Sequence, residues 1–330
     1  MEAAAERAAR YARAAHKLAV AKTVAVVGHL RPDADAIGSV TALTLGLEKI
    51  GKTVTPLVGQ PVPFSRNLLS IPGADRVSPA TDIPGEHDLI VAVDCGSVDR
   101  TGTLTGAVLA AAEDEKLLVI DHHVSNTGFG TVNLIDTRES TTSMIRELLL
   151  MIGVPLDRDI AHCLYAGLMT DTGSFRWGTA SMHTLAAELM SYGLDPRRIA
   201  ADLVDSTSVA DLQMVGHVLA NTRMVEAGGF NAAVLIADQA TIAGHSESAV
   251  ESLADYVREL NGSNLGVVLK EQGPGWWAVS LRSSRCDVSQ VAIRLGGGGH
   301  VAAAGYTSRG TAEEALAELA TVLSTTDVSL

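Results

Sequence analysis

Cysteine is scarce in this chain, and no stretch is long and apolar enough to insert into a membrane. Cys95, Cys163 and Cys286 are odd in number and far apart among the 330 residues. This excludes a disulfide framework and is typical of reduced, cytoplasmic proteins. No run approaches the roughly 18 consecutive apolar residues of a membrane span. Charged residues interrupt the alanine-rich N-terminus, which argues against a secretory signal. We therefore expect a cytoplasmic protein with no membrane partner.

Positive charge and aromatic residues are also in short supply. Lysine and arginine total 25 against 38 acidic residues, which gives a net charge of −13, and aromatic residues make up 4%. Binding to long duplex nucleic acid depends on basic side chains that neutralise phosphates, so we do not expect such a partner. A short phosphorylated ligand is compatible with this balance, because divalent cations and a few arginines can supply positive charge locally.

The chain has the balance of hydrophobic and charged residues that is typical of a globular protein. Hydrophobic residues make up 47% and charged residues 19%, and the length suffices for two domains with separate cores. Alternating strands and helices predict a doubly wound, mostly parallel α/β sheet over residues 1–192. We expect a connector over 193–228 and a smaller α+β domain over 229–330, with a hairpin turn at 272–275.

Three apolar segments in the first domain predict buried parallel strands, and an acid or a histidine follows each of them. In open α/β sheets, ligands bind outside the carboxyl ends of the strands. The loops that follow carry further aspartates, and one more lies at the end of a predicted helix. The candidate residues are His29, Asp33, Asp35, Asp94, Asp121, His122, His123 and Asp171.

These candidates suit a pair of divalent cations. Taken singly, each could be a helix cap or a polar residue at the rim of the sheet. Together, histidine and aspartate are the ligands of first-row divalent metals such as manganese, and clustered aspartates repel one another unless cations lie among them. The set exceeds the needs of one ion, so we expect two ions that share a carboxylate. Such a pair suits attack on phosphorus. The chain has no nucleophile elbow, Walker loop or Cys-x-x-Cys motif that would indicate a competing chemistry.

The second domain carries a candidate substrate site. Four consecutive glycines at 296–299 precede His300, and a glycine backbone can approach an anion closely. Arg282 follows a predicted strand, and its guanidinium matches phosphate in a bidentate way. The nearby Arg285 could equally be a solvated surface residue, and its role stays open.

The order of these motifs resembles the DHH phosphoesterase superfamily with its DHH-associated C-terminal domain. The matching motifs are His29-x-x-x-Asp33-x-Asp35, Asp94, Asp121-His122-His123, Asp171 and the glycine run that ends in His300. The two-domain form is most similar to the nanoRNase/pAp-phosphatase group, whose mycobacterial-type members also degrade cyclic di-AMP.

The resemblance implies two manganese ions per chain. The first ion would take His29, Asp33 and Asp94, and the second would take Asp35, Asp94, His122 and Asp171, with Asp94 as the bridge. His123 would polarise the scissile phosphate, and Asp121 would orient the imidazoles. The far phosphate or base of the substrate would contact Arg282, Gly297, Gly298, Gly299 and His300. The resemblance assigns no role to Ser140 and Thr141.

The expected function is hydrolysis of very short nucleotides by a homodimer, since family members are commonly dimeric. The substrates would be cyclic di-AMP, its linear product pApA, other short oligoribonucleotides and 3′-phosphoadenosine-5′-phosphate (pAp). Three alternatives stay open: a manganese-dependent inorganic pyrophosphatase, a RecJ-like single-strand exonuclease and a nucleotide sensor without turnover. The glycine run disfavours a pyrophosphatase, because it fits a nucleotide better. The lack of a basic aromatic groove disfavours a single-strand exonuclease. The full set of metal ligands disfavours a sensor without turnover.

Overall fold

The protein consists of two compact units in a computed structural model that describes residues 2–205, 207–258, 260–326 and 328. The units are Met1–Ser206 and Thr207–Leu330, so their boundary falls inside the segment 193–228 that the sequence assigns to a connector. Within the described residues, no helix is both long and apolar enough to cross a membrane.

The first unit is built on a six-stranded parallel sheet. In sheet order the strands are β3 (Ser78–Pro79), β2 (Thr53–Val58), β1 (Thr23–Gly28), β4 (Leu89–Val93), β5 (Leu117–Asp121) and β6 (Val132–Ile135). All neighbouring pairs are parallel. From β1 the chain passes to β2 on one side and later to β4 on the other. The gap between the ends of β1 and β4 is therefore a topological switch point, where open sheets bind ligands.

Helices cover both faces of this sheet. They are α1 (Glu2–Val20), α2 (Ala34–Lys49), α3 (Thr105–Glu113), α4 (Thr141–Met151), α5 (Arg158–Asp171), α6 (Ala180–Met190) and α7 (Pro196–Leu203), with 3₁₀ segments at Arg66–Ser70, Ala74–Arg76 and Val98–Leu104. Alternate residues of β1 face opposite sides. Val24 and Val26 pack with α1, α2, α4 and α5, whereas Ala25 and Val27 pack with α3. The predicted doubly wound, mostly parallel sheet is confirmed.

The start of α2 corrects one expectation from the sequence. Asp35 is a plausible cap by its position, but the residue that caps α2 is Asp33, whose Oδ1 accepts from the amides of Asp35 and Ala36, both at 3.0 Å. Asp35 lies two residues further along, within the first turn of α2, and is fully buried. The cap fixes where α2 begins and leaves the carboxylate of Asp35 inside the protein.

The second unit holds a mixed six-stranded sheet. Its strands are β7 (Arg223–Ala227), β8 (Phe230–Ala237), β9 (Leu265–Gly273), β10 (Trp276–Arg282), β11 (Gly298–His300) and β12 (Ala303–Arg309), in the order β11-β12-β10-β9-β8-β7. Only β8 and β9 pair in parallel. The helices are α8 (Val209–Ala220), α9 (Gln239–Ile242), α10 (Glu247–Tyr256), α11 (Val288–Arg294) and α12 (Ala312–Thr325). α11 and α12 cover one face, and α8 and α10 the other. The predicted α+β architecture and the hairpin between β9 and β10 are confirmed.

Candidate metal centre

The loops after β1, β4 and β5 converge at the switch point of the parallel sheet. His29 follows the last residue of β1 and is buried. Asp94 follows β4 with a φ of 57°, a left-handed conformation that is uncommon for residues other than glycine and that concentrates at functional sites. The amide of Asp94 donates to the carbonyl of Ile120 in β5 at 3.0 Å. Pairing with β5 therefore holds this unusual backbone in place.

One group of side chains is formed by His29, Asp33 and Asp94. Their nearest ligand atoms lie within 4.8 Å of one another. Nε2 of His29 is 3.7 Å from Oδ2 of Asp33 and 3.6 Å from Oδ2 of Asp94, too far for hydrogen bonds. Ligand atoms bonded to one cation at about 2.1–2.2 Å lie roughly 3.0–3.6 Å apart. The spacing in this group is therefore close to that of a divalent cation site.

A second group is arranged around His122. Its Nε2 lies 3.0 Å from Oδ2 of Asp171, 3.5 Å from Oδ1 of Asp94 and 3.8 Å from Oδ2 of Asp35. The two oxygens of Asp94 thus face different histidines, Oδ2 towards His29 and Oδ1 towards His122. This is the geometry of a carboxylate that bridges two ions.

The start of α4 holds two of these carboxylates. Asp35 accepts from the amide of Thr141 at 2.6 Å, and from the amide and hydroxyl of Thr142 at 3.0 and 2.7 Å. The hydroxyl of Thr141 donates to Oδ1 of Asp94 at 3.0 Å, and Ser140 caps the helix. The positive end of a helix dipole favours an anion at this position. Ser140 and Thr141, whose roles the sequence leaves open, therefore position the acidic cluster.

The two imidazoles that Asp121 was expected to orient have different partners at Nδ1. Oδ1 of Asp121 lies 2.8 Å from Nδ1 of His123, whereas Nδ1 of His122 lies 3.1 Å from the carbonyl of Arg138. Oδ2 of Asp121 accepts from Asn126 at 2.7 Å. Asn126 and Arg138 were missed by sequence reasoning, because an asparagine in a turn-rich loop is an ordinary turn residue and a backbone carbonyl carries no sequence signal.

The charges of the cluster shift the pKa values of its members strongly. Burial and Arg100 act to lower the pKa of His29, but Asp33 and Asp94 outweigh them and raise it to about 10. Burial also acts to lower the pKa of His122, but interactions with Asp171, Asp94 and Asp35 outweigh burial and raise this pKa to about 10. Without cations, both imidazoles are therefore protonated at neutral pH.

The pKa values of the carboxylates in the cluster shift in opposite directions. Burial, with the charges of Asp94 and Asp171, raises the pKa of Asp35 well above its ordinary value. Burial likewise raises the pKa of Asp171 to about 6, against the attraction of His122. Burial opposes ionisation of Asp94 too, but the neighbouring imidazoles hold its pKa far below the ordinary value. The cluster carries too much negative charge to ionise fully alone, and divalent cations would replace its protons.

The residues present therefore fit two divalent cations that share Asp94. When bound, such a pair would activate a water molecule and neutralise charge on phosphoryl oxygens. The chain's own contribution is to fix the ligands: β5 fixes Asp94, the start of α4 fixes Asp35, and Asp121 fixes the ring of His123.

The predicted substrate residues of the second unit lie at one end of its sheet. Arg282 of β10 and His300 of β11 are both register partners of Ala303 in β12, so they flank β12 and share a face. At Gly297 a Cβ would lie 2.0 Å from the carbonyl oxygen of Gly305, and the amide of Gly297 donates to Ala292 at 2.8 Å. Close packing against β12 therefore requires glycine here.

A substitution at Gly173 can test whether the loop after Asp171 supports metal binding. Gly173 has a φ of 54°, and a Cβ on it would lie 1.8 Å from the Trp177 ring, whose Nε1 donates to the carbonyl of Asp171 at 2.9 Å. We expect Gly173→Ala to displace the ring and to weaken manganese binding about tenfold. Gly193→Ala is the matched control, because φ there is 80° with nothing within 4 Å. Calorimetric titration with manganese measures both, and equal affinities in the two variants would contradict this role of the loop.

Two family models match this chain. The DHH family, N-terminal domain, matches residues 23–168, and the DHHA1 domain matches residues 230–325. The chain belongs to the DHH superfamily. This DHH protein carries its metal-type cluster largely within the first match, with Asp171 three residues beyond it, and the glycine run within the second.

Known relatives resemble the chain along most of its length. It is 29% identical over 296 residues to the bifunctional oligoribonuclease and PAP phosphatase NrnA of Thermus thermophilus, covering 88% of this chain and 86% of that protein. It is 26% identical to the cyclic-di-AMP phosphodiesterase GdpP of Geobacillus thermodenitrificans over 86% of this chain and 44% of GdpP. An exopolyphosphatase-related protein from Bacteroides fragilis has the same fold, with a TM-score of 0.79, 23% identity and 96% coverage of both chains. The resemblance to the nanoRNase/pAp-phosphatase group is confirmed, and the protein is a metal-dependent hydrolase.

Proposed function

We propose that this DHH protein uses two divalent cations to hydrolyse very short nucleotides. The substrates would be cyclic di-AMP, pApA and other short oligoribonucleotides, all cut to mononucleotides, and pAp, which would be converted to AMP. The observation that carries the proposal is the orientation of Asp94, with one oxygen towards His29 and the other towards His122. Each of these substrates presents a phosphate beside a nucleoside, so a single two-metal site serves all of them.

We assign each cluster residue a role within this reaction. One ion is bound by His29, Asp33 and Asp94, and the other by Asp35, Asp94, His122 and Asp171. Mixed imidazole and carboxylate ligands with open positions suit manganese, which we propose as the metal. His123, held by Asp121 at 2.8 Å, polarises the scissile phosphate.

The second unit binds the distal part of the nucleotide in this proposal. Arg282 and His300 flank Ala303 on one face of the sheet, and Gly297, Gly298 and Gly299 lead into His300. Burial and the nearby Arg258 lower the pKa of Arg282 to about 10, so its guanidinium stays charged at neutral pH. A charged group beside a histidine suits a phosphate or a base edge.

The relatives do not favour the alternative functions. The Thermus and Geobacillus proteins are both named for nucleotide substrates, which speaks against a pyrophosphatase. The acidic net charge of −13 speaks against tracking along single strands. A sensor without turnover would have no need of a bridged pair of cations.

A turnover comparison tests the proposal. The wild-type protein is incubated with manganese and, separately, with cyclic di-AMP, pApA, pAp or pyrophosphate, and products are separated by chromatography. We expect manganese-dependent release of AMP from pApA and pAp, opening of cyclic di-AMP, and loss of all three activities on chelation. Hydrolysis of pyrophosphate alone, or nucleotide binding without any turnover, would overturn the proposal.

We also propose that the protein acts in the cytoplasm as a homodimer. The three cysteines are buried and unpaired, which suits a reducing compartment. On α4, Leu150 and Met151 are exposed and offer apolar surface to a second copy. Sedimentation velocity, which reports the mass in solution, checks the dimer.

A further inference from the structure

The loop between His29 and Asp33 contains a residue with an unfavourable backbone. Arg31 has a φ of 51°, a left-handed conformation that is uncommon for residues other than glycine. Pro32 follows it, and a residue before a proline favours extended backbone. The side chain of Arg31 is exposed, so side-chain packing does not hold this conformation. Contacts of the backbone must therefore hold it.

Gln60 supplies such a contact from the loop after β2. It lies two residues beyond the end of β2 and is 7% exposed. Its Oε1 accepts from the amide of Arg31 at 2.7 Å, and its Nε2 donates to the carbonyl of Val62 at 2.8 Å. Because the oxygen has a donor and the nitrogen has an acceptor, the side-chain amide of Gln60 is held in one orientation.

The conformation of Arg31 matters because its loop joins two ligands of the first group. His29 continues from β1, and Asp33 caps α2, so both ends of the loop are fixed. Three residues connect them, and an extended residue in the middle would lengthen the path. The observed path leaves Nε2 of His29 3.7 Å from Oδ2 of Asp33. The left-handed turn at Arg31 therefore sets the spacing of these two ligands.

The third ligand of the group is held in the same way. Asp94 has a φ of 57°, and its amide donates to the carbonyl of Ile120 in β5 at 3.0 Å. In both loops, a neighbouring segment of the sheet accepts from the amide of the left-handed residue. The acceptor is a backbone carbonyl for Asp94 but a side chain for Arg31. A side-chain acceptor can be removed by substitution, so the contact made by Gln60 can be tested directly.

We propose that Gln60 is a positioning residue of the metal centre, which holds the left-handed backbone of Arg31 and so preorganises His29 and Asp33 for the first cation. The assignment of a cation to these ligands rests on the function proposed above. Ligands that are already in place bind more tightly, because binding does not have to order them.

Two measurements on the full-length Gln60→Met variant test the proposal. Methionine keeps the length of the side chain but removes the amide group. Hydrogen exchange of the metal-free protein, followed by NMR, should show the amide of Arg31 exchanging about tenfold faster or more. The amide of Leu30, which donates to the carbonyl of Arg100 at 2.8 Å, should keep its protection. Calorimetric titration with manganese should show one of two ions bound about tenfold more weakly and the other within about threefold of wild type.

A second substitution separates positioning from a general effect on the fold. Glycine adopts a positive φ readily, so a glycine at position 31 needs no support from Gln60. We expect the double variant Gln60→Met, Arg31→Gly to recover most of the lost manganese affinity. Gln213→Met, which makes the same change at an exposed glutamine of α8, is the control and should leave both measurements unchanged.

Three results would overturn the inference. Unchanged manganese binding by Gln60→Met would show that Gln60 does not position the ligands. Equal weakening of both ions without rescue by Arg31→Gly would make Gln60 a residue that only stabilises the fold. Unchanged exchange at Arg31 would exclude the contact itself. A wild-type protein that binds no manganese would overturn the proposed function as well, whereas wild-type binding that Gln60→Met leaves intact would overturn this inference alone.

Discussion

We expect Asp94→Asn to abolish the proposed hydrolysis, with kcat reduced by roughly 10⁴-fold or more. The amide has nearly the same size, so the buried backbone at φ 57° and its bond to Ile120 persist. What disappears is the charge and one of two acceptor oxygens, each of which faces a different histidine. In the proposed two-cation centre, an asparagine could face one cation with its oxygen but would present NH₂ to the other, so the bridge between the ions would be lost.

The measurement combines metal analysis with turnover of pApA. We expect Asp94→Asn to retain fewer than two ions per chain after desalting, while its thermal transition stays cooperative. Asp99→Asn is the control, since it makes the same chemical change at an exposed acid five residues further along the chain. Two tightly bound ions together with normal turnover in Asp94→Asn would remove the basis for a bridged centre.

The second large effect is a steep dependence of manganese binding on pH. The pKa values of His29 and His122 are about 10 in the absence of metal, so both imidazoles are protonated at pH 7, and each must lose its proton to bind an ion. Affinity therefore rises with pH, by about tenfold per unit for each ion between pH 7 and 9. As pH falls through about 6, protonation of Asp171 weakens its site further.

Calorimetry in two buffers of different ionisation enthalpy measures the released protons directly. At pH 7.5 we expect at least one proton per bound ion, because Asp35, whose pKa is also raised, can release a further proton. A His183→Gln variant, altered at an exposed histidine outside the ligand groups, should give the same count. Binding heats that do not depend on the buffer would show that both imidazoles are already neutral in the metal-free protein.

The sequence predicts the location of the centre because that information is local. The apolar runs that become β1, β4 and β5 are buried along their whole length, and their ends coincide with the first polar residues. Parallel strands bring such ends to one edge of the sheet. The short strands β3 and β11, of two and three residues, were not predicted, because so few residues carry no periodic pattern and pair only through a neighbour.

The sequence did not predict contacts between residues that are far apart along the chain. Thr142 supports Asp35 across 107 positions, and Arg100 reaches His29 across 71. Neither residue belongs to a pattern around its own position. Gly297 does belong to a local pattern, the glycine run, which the sequence explains by close approach to an anionic ligand. The structure adds a second reason for glycine at this position, which is close packing against Gly305.

The amino-acid sequence by itself determined the two-domain α/β and α+β architecture and the side chains that gather at the strand ends, since hydrophobic periodicity and strand termination are properties of neighbouring residues. The tertiary structure alone decided that the oxygens of Asp94 face two histidines, that α4 supports Asp35, and that Arg100 and the carbonyl of Leu30 both lie 2.9 Å from Nδ1 of His29. These are distances between atoms far apart along the chain, and only the packed fold sets them.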